Sequence, residues 1–424
     1  MTEITLPPPS PQFVEENYED DLSVEQRAAE RRRRFVATFD IYLVLSVGIL
    51  VAIGLMMVWS ATLGFRSDQQ WGIFIQQVRN AAIGAVIMII LSLIDYRIWR
   101  RLAIPIMGMV IIALAGILIL PGVKTVFGAK RAYFEGSVQP SELALLSVTI
   151  YMAAWLSSRQ SKIHNLTYGL LPFAILVGIV AGLIILEPDL STATLVMTVA
   201  AVMFFLAGAD WIQLGITAIV FGFAGFIAAT QLDYARVRVQ SFIDLLRDPI
   251  QANADHAQSV MVAFLNGGFG GVGLGQGRQK FFNLSAPHTD SIFAVIGEEL
   301  GLLGCALVIG LFVVLLVRGI RTARQAPDSF GALLAAGITA AIVIEALFNI
   351  AVMAAVVPFV GVPLPFISFG GSALVSNLAC VGLLLSISRV TMKQQSKPVR
   401  KTNEILNLST ARGPISRVRQ RPVE

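Results

Sequence analysis

The chain reads as an all-α polytopic membrane protein with ten transmembrane helices and a large extracytoplasmic loop between helices 7 and 8. Three observations predict that class. Of 424 residues, 55% are hydrophobic and only 14% charged, too little charge to cover a soluble globule of this length. Apolar runs of about 20 residues recur from residue 40 onward, the length that crosses a ~30 Å hydrocarbon core. Basic residues gather in alternate short loops, as they do where Lys and Arg are retained on the cytoplasmic side.

Residues 1–39 open with Pro7, Pro8 and Pro9 among acids and end on Arg31 to Arg34, a composition that predicts a disordered cytoplasmic segment. The membrane domain spans 40–391, with crossings expected at 40–60, 76–95, 103–121, 141–157, 168–186, 191–208, 211–230, 291–317, 330–357 and 372–391. The eighth and ninth runs exceed one crossing, which predicts tilt, a kink or an extension beyond the bilayer. Arg97, Arg100, Arg101, Arg159, Lys162, Arg318, Arg321 and Arg324 fall between alternate spans, so both termini are expected in the cytoplasm and the protein in the cytoplasmic membrane. Residues 392–424 form a basic tail suited to anionic lipid headgroups. Tryptophans near span ends fit an interfacial belt, and Cys305 and Cys380, inside spans, indicate neither a disulfide framework nor a thiol metal site.

Two outer segments, 122–140 and 231–290, are too long for simple turns. In the second, Phe242, Ile243, Leu245 and Leu246 and then Val260 to Leu265 predict amphipathic helix at the membrane face. The glycines from Gly267 to Gly277 follow no strand, which argues against a nucleotide loop, and no nucleic-acid partner is expected. Gly361 to Gly371, with Pro363 and Pro365, predict a rigid re-entrant turn.

Chemistry concentrates at His288-Thr289-Asp290, where an outer loop meets a span. Asp290 supports two readings: a helix N-cap, or a general base for a sugar hydroxyl. His288 would tune that acid or contact a phosphate, or would simply be a solvated loop histidine. Glu298 and Glu299 lie about two turns into the helix, where charge in lipid costs at least ~2.5 kcal/mol, so structural pairing with a basic partner is favoured over a polar cavity. Lys124, Lys130, Arg131, Arg236, Arg238, Arg247, Arg278 and Lys280 form an outer basic set that suits a diphosphate or lipid headgroups. Glu142, Glu187, Asp189 and Glu345 are further acids at or within spans, where carboxylates are candidates for function; capping or loop pairing is the alternative for Glu142 and Asp189.

Six motifs coincide: GAKR at 128–131, QPSE at 139–142, EPDLST at 187–192, GGVGLGQG at 270–277, HTDSIFAVIGEELGLLG at 288–304 and PLPFISFGGS at 363–372. Together they resemble the SEDS family (shape, elongation, division and sporulation), over residues 40–391, and VIGEELG is more similar to its division branch than to its elongation branch. The resemblance implies a ten-helix fold and a peptidoglycan glycosyltransferase that polymerises lipid II and releases undecaprenyl diphosphate. It makes Asp290 the catalytic aspartate and implies substrate-binding roles for Arg131, Glu142, Arg236, Lys280 and Ser368, with His288 beside them. A divalent cation, Mg or Mn, is expected at Asp290. The implied partners are lipid II, a class B penicillin-binding protein transpeptidase, other division proteins and membrane lipid. Four positions depart from the family pattern: Ala132 for Trp, Leu145 for Lys, Ser191 for Gly and Glu345 for Gln. A lipid II flippase and a non-catalytic scaffold are the rival readings.

Overall fold

A computed structural model describes residues 40–119, 125–126, 129–130, 139–159, 163–247, 255–282 and 284–395. The expectations for residues 1–39 and for the tail beyond Gln395 lie outside the described residues, as does Arg131. Helices α1 (Ile41–Ala61), α2 (Ser67–Leu93), α3 (Arg97–Ile119), α4 (Pro140–Ser158), α5 (Leu171–Leu186), α6 (Leu190–Leu206) and α7 (Trp211–Gln231) form the first seven crossings. Two amphipathic helices follow, α8 (Asp233–Arg247) and α9 (Asp255–Gly267), then α10 (Ile292–Glu299), α11 (Gly301–Gln325), α12 (Ser329–Met353) and α13 (Gly371–Gln395). Among the described residues nine helices are long and apolar enough to span, α5 counted together with the π-helical turn Leu166–Leu170 that leads into it, and the 17-residue α6 makes the tenth crossing. Among the described residues the remaining regular structure is that π-helical turn, a 3-10 turn over Gln279–Phe281 and a hairpin, β1 (Thr125–Val126) and β2 (Ala129–Lys130), paired antiparallel with Thr125 opposite Lys130.

Helix α13 is the centre and α7 the rim: 78% of the most apolar stretch of α13 is buried, against 17% for α7. Without a hydrophobic drive between helices in lipid, close approach of backbones carries the packing. Gly84 on α2 meets Leu378 and Val375, and Gly382 on α13 meets the Met88 backbone, so α2 and α13 lie tightly together along their length. Helix α12 packs between α11, α4 and α6.

The expected single span 291–317 is instead two helices, and glycine is the cause. Gly301 has φ +66°, and a Cβ there would lie 2.4 Å from the Gly271 nitrogen. The helix therefore breaks after Glu299, and the glycine loop 268–273 fills the gap. Val272 and Gly273 N–H donate to the Glu298 and Glu299 carbonyls (both 3.0 Å), and Leu302 and Leu303 N–H donate to Gly268 and Phe269 carbonyls (3.0 and 3.2 Å). Each backbone group orphaned by the break at these positions is thus satisfied by the loop.

The same loop is fixed by buried charge. Lys280 Nζ lies 2.6 Å from Glu299 Oε1, both side chains fully buried, and donates to the Ser60 and Gly275 carbonyls (3.0 and 3.1 Å). Glu298 accepts from the Arg278 and Gln279 N–H groups (3.0 and 3.1 Å). Glu299 thus pairs with a base as expected, whereas Glu298 is satisfied by backbone amides of the loop.

At the opposite end of the bundle Arg318 forms a two-atom bridge to Asp40 (2.7 and 2.8 Å). Asp328 caps α12 through Gly331 N–H (2.8 Å), accepts from the Tyr96 hydroxyl and pairs with Arg97 at 3.2 Å. Arg389 and Ser386 of α13 donate to the Leu93 and Ile94 carbonyls. These bonds tie α1 to α11, α3 to α12 and α2 to α13 at one face, while the glycine loop and the turn over 285–291 lie at the other.

Candidate active site

A turn over 285–291 starts the site. Ala286 adopts φ +48°, and its carbonyl accepts from Thr289 N–H (3.1 Å), while Ser291 Oγ donates to the Ser285 carbonyl (2.6 Å). The strap that follows is held by its own backbone. Three successive carbonyls each accept one bond: His288 from Phe369 N–H (2.9 Å), Thr289 from Ser368 Oγ (2.7 Å) and Asp290 from Asn349 Nδ2 (2.7 Å). Asn349 also donates to the Val362 carbonyl (2.7 Å), and Ser368 Oγ accepts from Leu364 N–H (2.7 Å), so the re-entrant segment 354–370 and the strap form one unit. Segment 354–370 is wedged against α1, where a Cβ on Gly54 would sit 2.6 Å from the Phe366 carbonyl.

Helix α10 begins at Ile292 with Ser291, not Asp290, as its flanking residue. The Asp290 carboxylate turns instead toward Gly361, where an added Cβ would lie 2.6 Å from Oδ2. It borders a cavity of about 390 Å³, whose wall also carries Glu142, Asp189, Arg238, Glu345 and Asn377. Asp189 caps α6 through Thr192 N–H (3.1 Å) and accepts from Gln139 Nε2 (3.0 Å), and Asn377 Nδ2 donates to Glu345 at 3.3 Å. Glu142 Oε2 is buried and has no hydrogen-bond partner among the described residues, an acceptor that a substrate hydroxyl or amide would satisfy.

The residues expected in the site are thus sorted. Asp290 and Glu142 share the cavity wall. Ser368 acts on the strap backbone, and Lys280 is committed to Glu299. His288 stands behind the strap between the Phe65 and Phe369 rings (5.4 and 5.6 Å), and burial lowers its pKa, which keeps the imidazole neutral. Arg236 is exposed, while Arg238 lines the cavity in its place. The outer basic set does not converge: among its members with described side chains, only Arg238 reaches the wall.

Asn349 was not anticipated, although a polar residue four positions after Glu345 in an apolar helix lies on the same face. Arg238 also carried a signal, since Arg238, Phe242 and Leu245 at i, i+4 and i+7 share the inner face of α8. Among the described residues no three His, Cys, Asp or Glu side chains gather to hold a metal.

Comparison with known proteins places this architecture. A family model described as "Cell cycle protein", for FtsW, RodA and SpoVE, matches residues 41–393. A probable peptidoglycan glycosyltransferase FtsW of Trichlorobacter lovleyi is 37% identical over 83% of this chain and 94% of its own. Stage V sporulation protein E of Bacillus subtilis is 36% identical over 82% of this chain and 97% of its own. Among solved structures, a chain of a peptidoglycan synthase complex that coordinates polymerization and crosslinking aligns with TM-score 0.69 and 28% identity, covering 83% of this chain and 98% of that one. The rod shape determining protein RodA of Thermus thermophilus aligns with TM-score 0.62 and 27% identity, over 83% of this chain and 97% of that one.

Proposed function

The chain belongs to the cell cycle protein family of FtsW, RodA and SpoVE, and on that premise we propose that it is a peptidoglycan glycosyltransferase of cell division, polymerising lipid II at the outer face of the cytoplasmic membrane. In the proposed reaction the acceptor's 4-hydroxyl attacks the anomeric carbon of the donor. Its proton passes to Asp290, the new C–O bond forms, the bond to the donor's diphosphate breaks, and undecaprenyl diphosphate leaves.

The observation that carries this reading is the Asp290 carboxylate on a cavity wall, carried by a strap whose three successive backbone carbonyls each accept a hydrogen bond. A general base must be held within hydrogen-bond reach of the proton it takes, and such positioning is worth orders of magnitude in rate. Glu142 and Asn377 offer an acceptor and a donor for sugar or peptide groups, and Arg238 offers the cation for the departing diphosphate. A single carboxylate also suits Mg²⁺ or Mn²⁺, which commonly bind one or two carboxylates plus substrate phosphates, and such an ion at Asp290 would supply charge neutralisation at the diphosphate.

In this reading the loop face is extracytoplasmic and both termini are cytoplasmic. A class B penicillin-binding protein is the proposed partner, with other division proteins and membrane lipid around it; the solved relative that assembles into a synthase complex supports that choice.

The test is glycan synthesis from fluorescent lipid II by the full chain, alone and with the transpeptidase. Asp290→Asn is expected to lose at least ~100-fold in rate, the usual contribution of a general base. Polymerisation at the wild-type rate by that variant would refute the role of Asp290, and lipid II translocation across vesicles without glycan product would favour the flippase.

A further inference from the structure

Beside the cavity lies a second pocket, of about 300 Å³, between α8, α9 and the end of α12. Its walls are apolar apart from Arg238, Ser241 and His256, with Phe242, Leu245 and Val260 among the apolar members. Arg238 and Phe359 line both this pocket and the cavity at Asp290. The Arg238 guanidinium sits 5.8 Å from the Phe359 ring centroid, in reach of a cation–π contact that orients it at the border between the two spaces. His256 helps close the wall: its Nδ1 accepts from Ser285 N–H (3.3 Å) and its ring packs 4.3 Å from Phe359, while burial lowers its pKa to about 4.

The order of surfaces is therefore a polar, acid-bearing cavity, then one guanidinium, then an apolar chamber. That order matches a molecule with a sugar at one end, a diphosphate next and a hydrocarbon chain beyond it. Guanidinium binds diphosphate oxygens bidentately, and the chamber is at the small end of ligand pockets, roughly 300–1,000 Å³, so it takes the first isoprene units and leaves the remaining tail to the bilayer. We propose that the α8–α9 pocket is the donor's prenyl subsite, with Arg238 as the diphosphate-binding residue at its mouth. This assignment rests on the glycosyltransferase reading and names where the leaving group sits.

The experiment measures binding of radiolabelled geranylgeranyl diphosphate to the full chain in phosphatidylcholine nanodiscs, with unlabelled inorganic diphosphate as competitor. Arg238→Gln is expected to weaken binding of both probes by about tenfold or more, roughly one lost charge-assisted contact. Leu245→Trp, which fills the chamber, and Ser241→Phe, which fills it from a half-buried wall position, are expected to weaken the prenyl probe similarly and to spare inorganic diphosphate. Wild-type affinity for the prenyl probe in Arg238→Gln or in both filling variants would overturn the assignment, as would equal displacement by phosphatidylglycerol, which would mark a general lipid pocket. Retained, Arg238-dependent binding by a wild-type chain without polymerase activity would leave the subsite standing and defeat the glycosyltransferase reading alone.

Discussion

Gly361 shows how closely one side chain governs the site. Its backbone has no strained φ, so alanine is conformationally acceptable, but the new Cβ would lie 2.6 Å from Asp290 Oδ2. The carboxylate, the free-swinging end of a side chain, yields more easily than the backbone. Gly361→Ala is therefore expected to reduce kcat by about 100-fold, the penalty for displacing a reacting group by roughly 1 Å, with KM and thermal stability nearly unchanged. A loss of stability in parallel with activity would show that the strap itself had moved. At this scale the HTD motif pointed to Asp290, and the structure puts that residue on the cavity wall. The sequence named Arg236 and Arg238 alike in one basic set, since two residues two apart on a helix point about 200° from each other and only helix register decides which one lines the cavity. Asn349 escaped because its function is to hold a distant carbonyl, a relation that spacing along the chain does not encode.

The glycine loop and α10 stand or fall together as an element. Lys280, Glu299 and Ser60 are buried and mutually bonded, and loop 268–273 supplies the bonds missing from the broken helix. Removing one charge leaves the other buried without compensation, which costs about 3–5 kcal/mol, whereas replacing both is often close to neutral. Lys280→Met is expected to lower the midpoint of thermal unfolding, followed by tryptophan fluorescence, and Lys280→Met with Glu299→Gln to restore most of it. A double variant no more stable than the single would mean that the two charges are not coupled. The excess length of the eighth run was legible here, with a kink as one of three ways to accommodate it beside tilt and extension beyond the bilayer. The place of the break was not, because Gly301 looks like any other glycine until the loop that requires its conformation is in position.

Across the whole molecule the number of crossings was readable, since apolar length and basic-loop alternation are summed over many residues and tolerate local error, but not every end: α2 starts at Ser67 rather than 76, and the eighth crossing at Gly301 rather than 291. Sidedness is an expectation from the same alternation, and it is open to direct measurement. Both native cysteines are buried, so introduced thiols report their own location. Arg278→Cys, exposed on the loop face, is expected to react with an impermeant maleimide on intact cells, and Arg324→Cys, exposed at the end of α11, only after permeabilisation. The reverse pattern would invert the topology and remove the site from the outer leaflet.

The clamps among α1, α2, α3, α11, α12 and α13 lie at the end remote from the cavity. Ties there, between Asp40 and Arg318, Asp328 and Arg97, and Arg389 and the Leu93 carbonyl, resist shear of the bundle's foot, so a bulky saccharide entering the opposite end meets a base whose helices are already moored to one another.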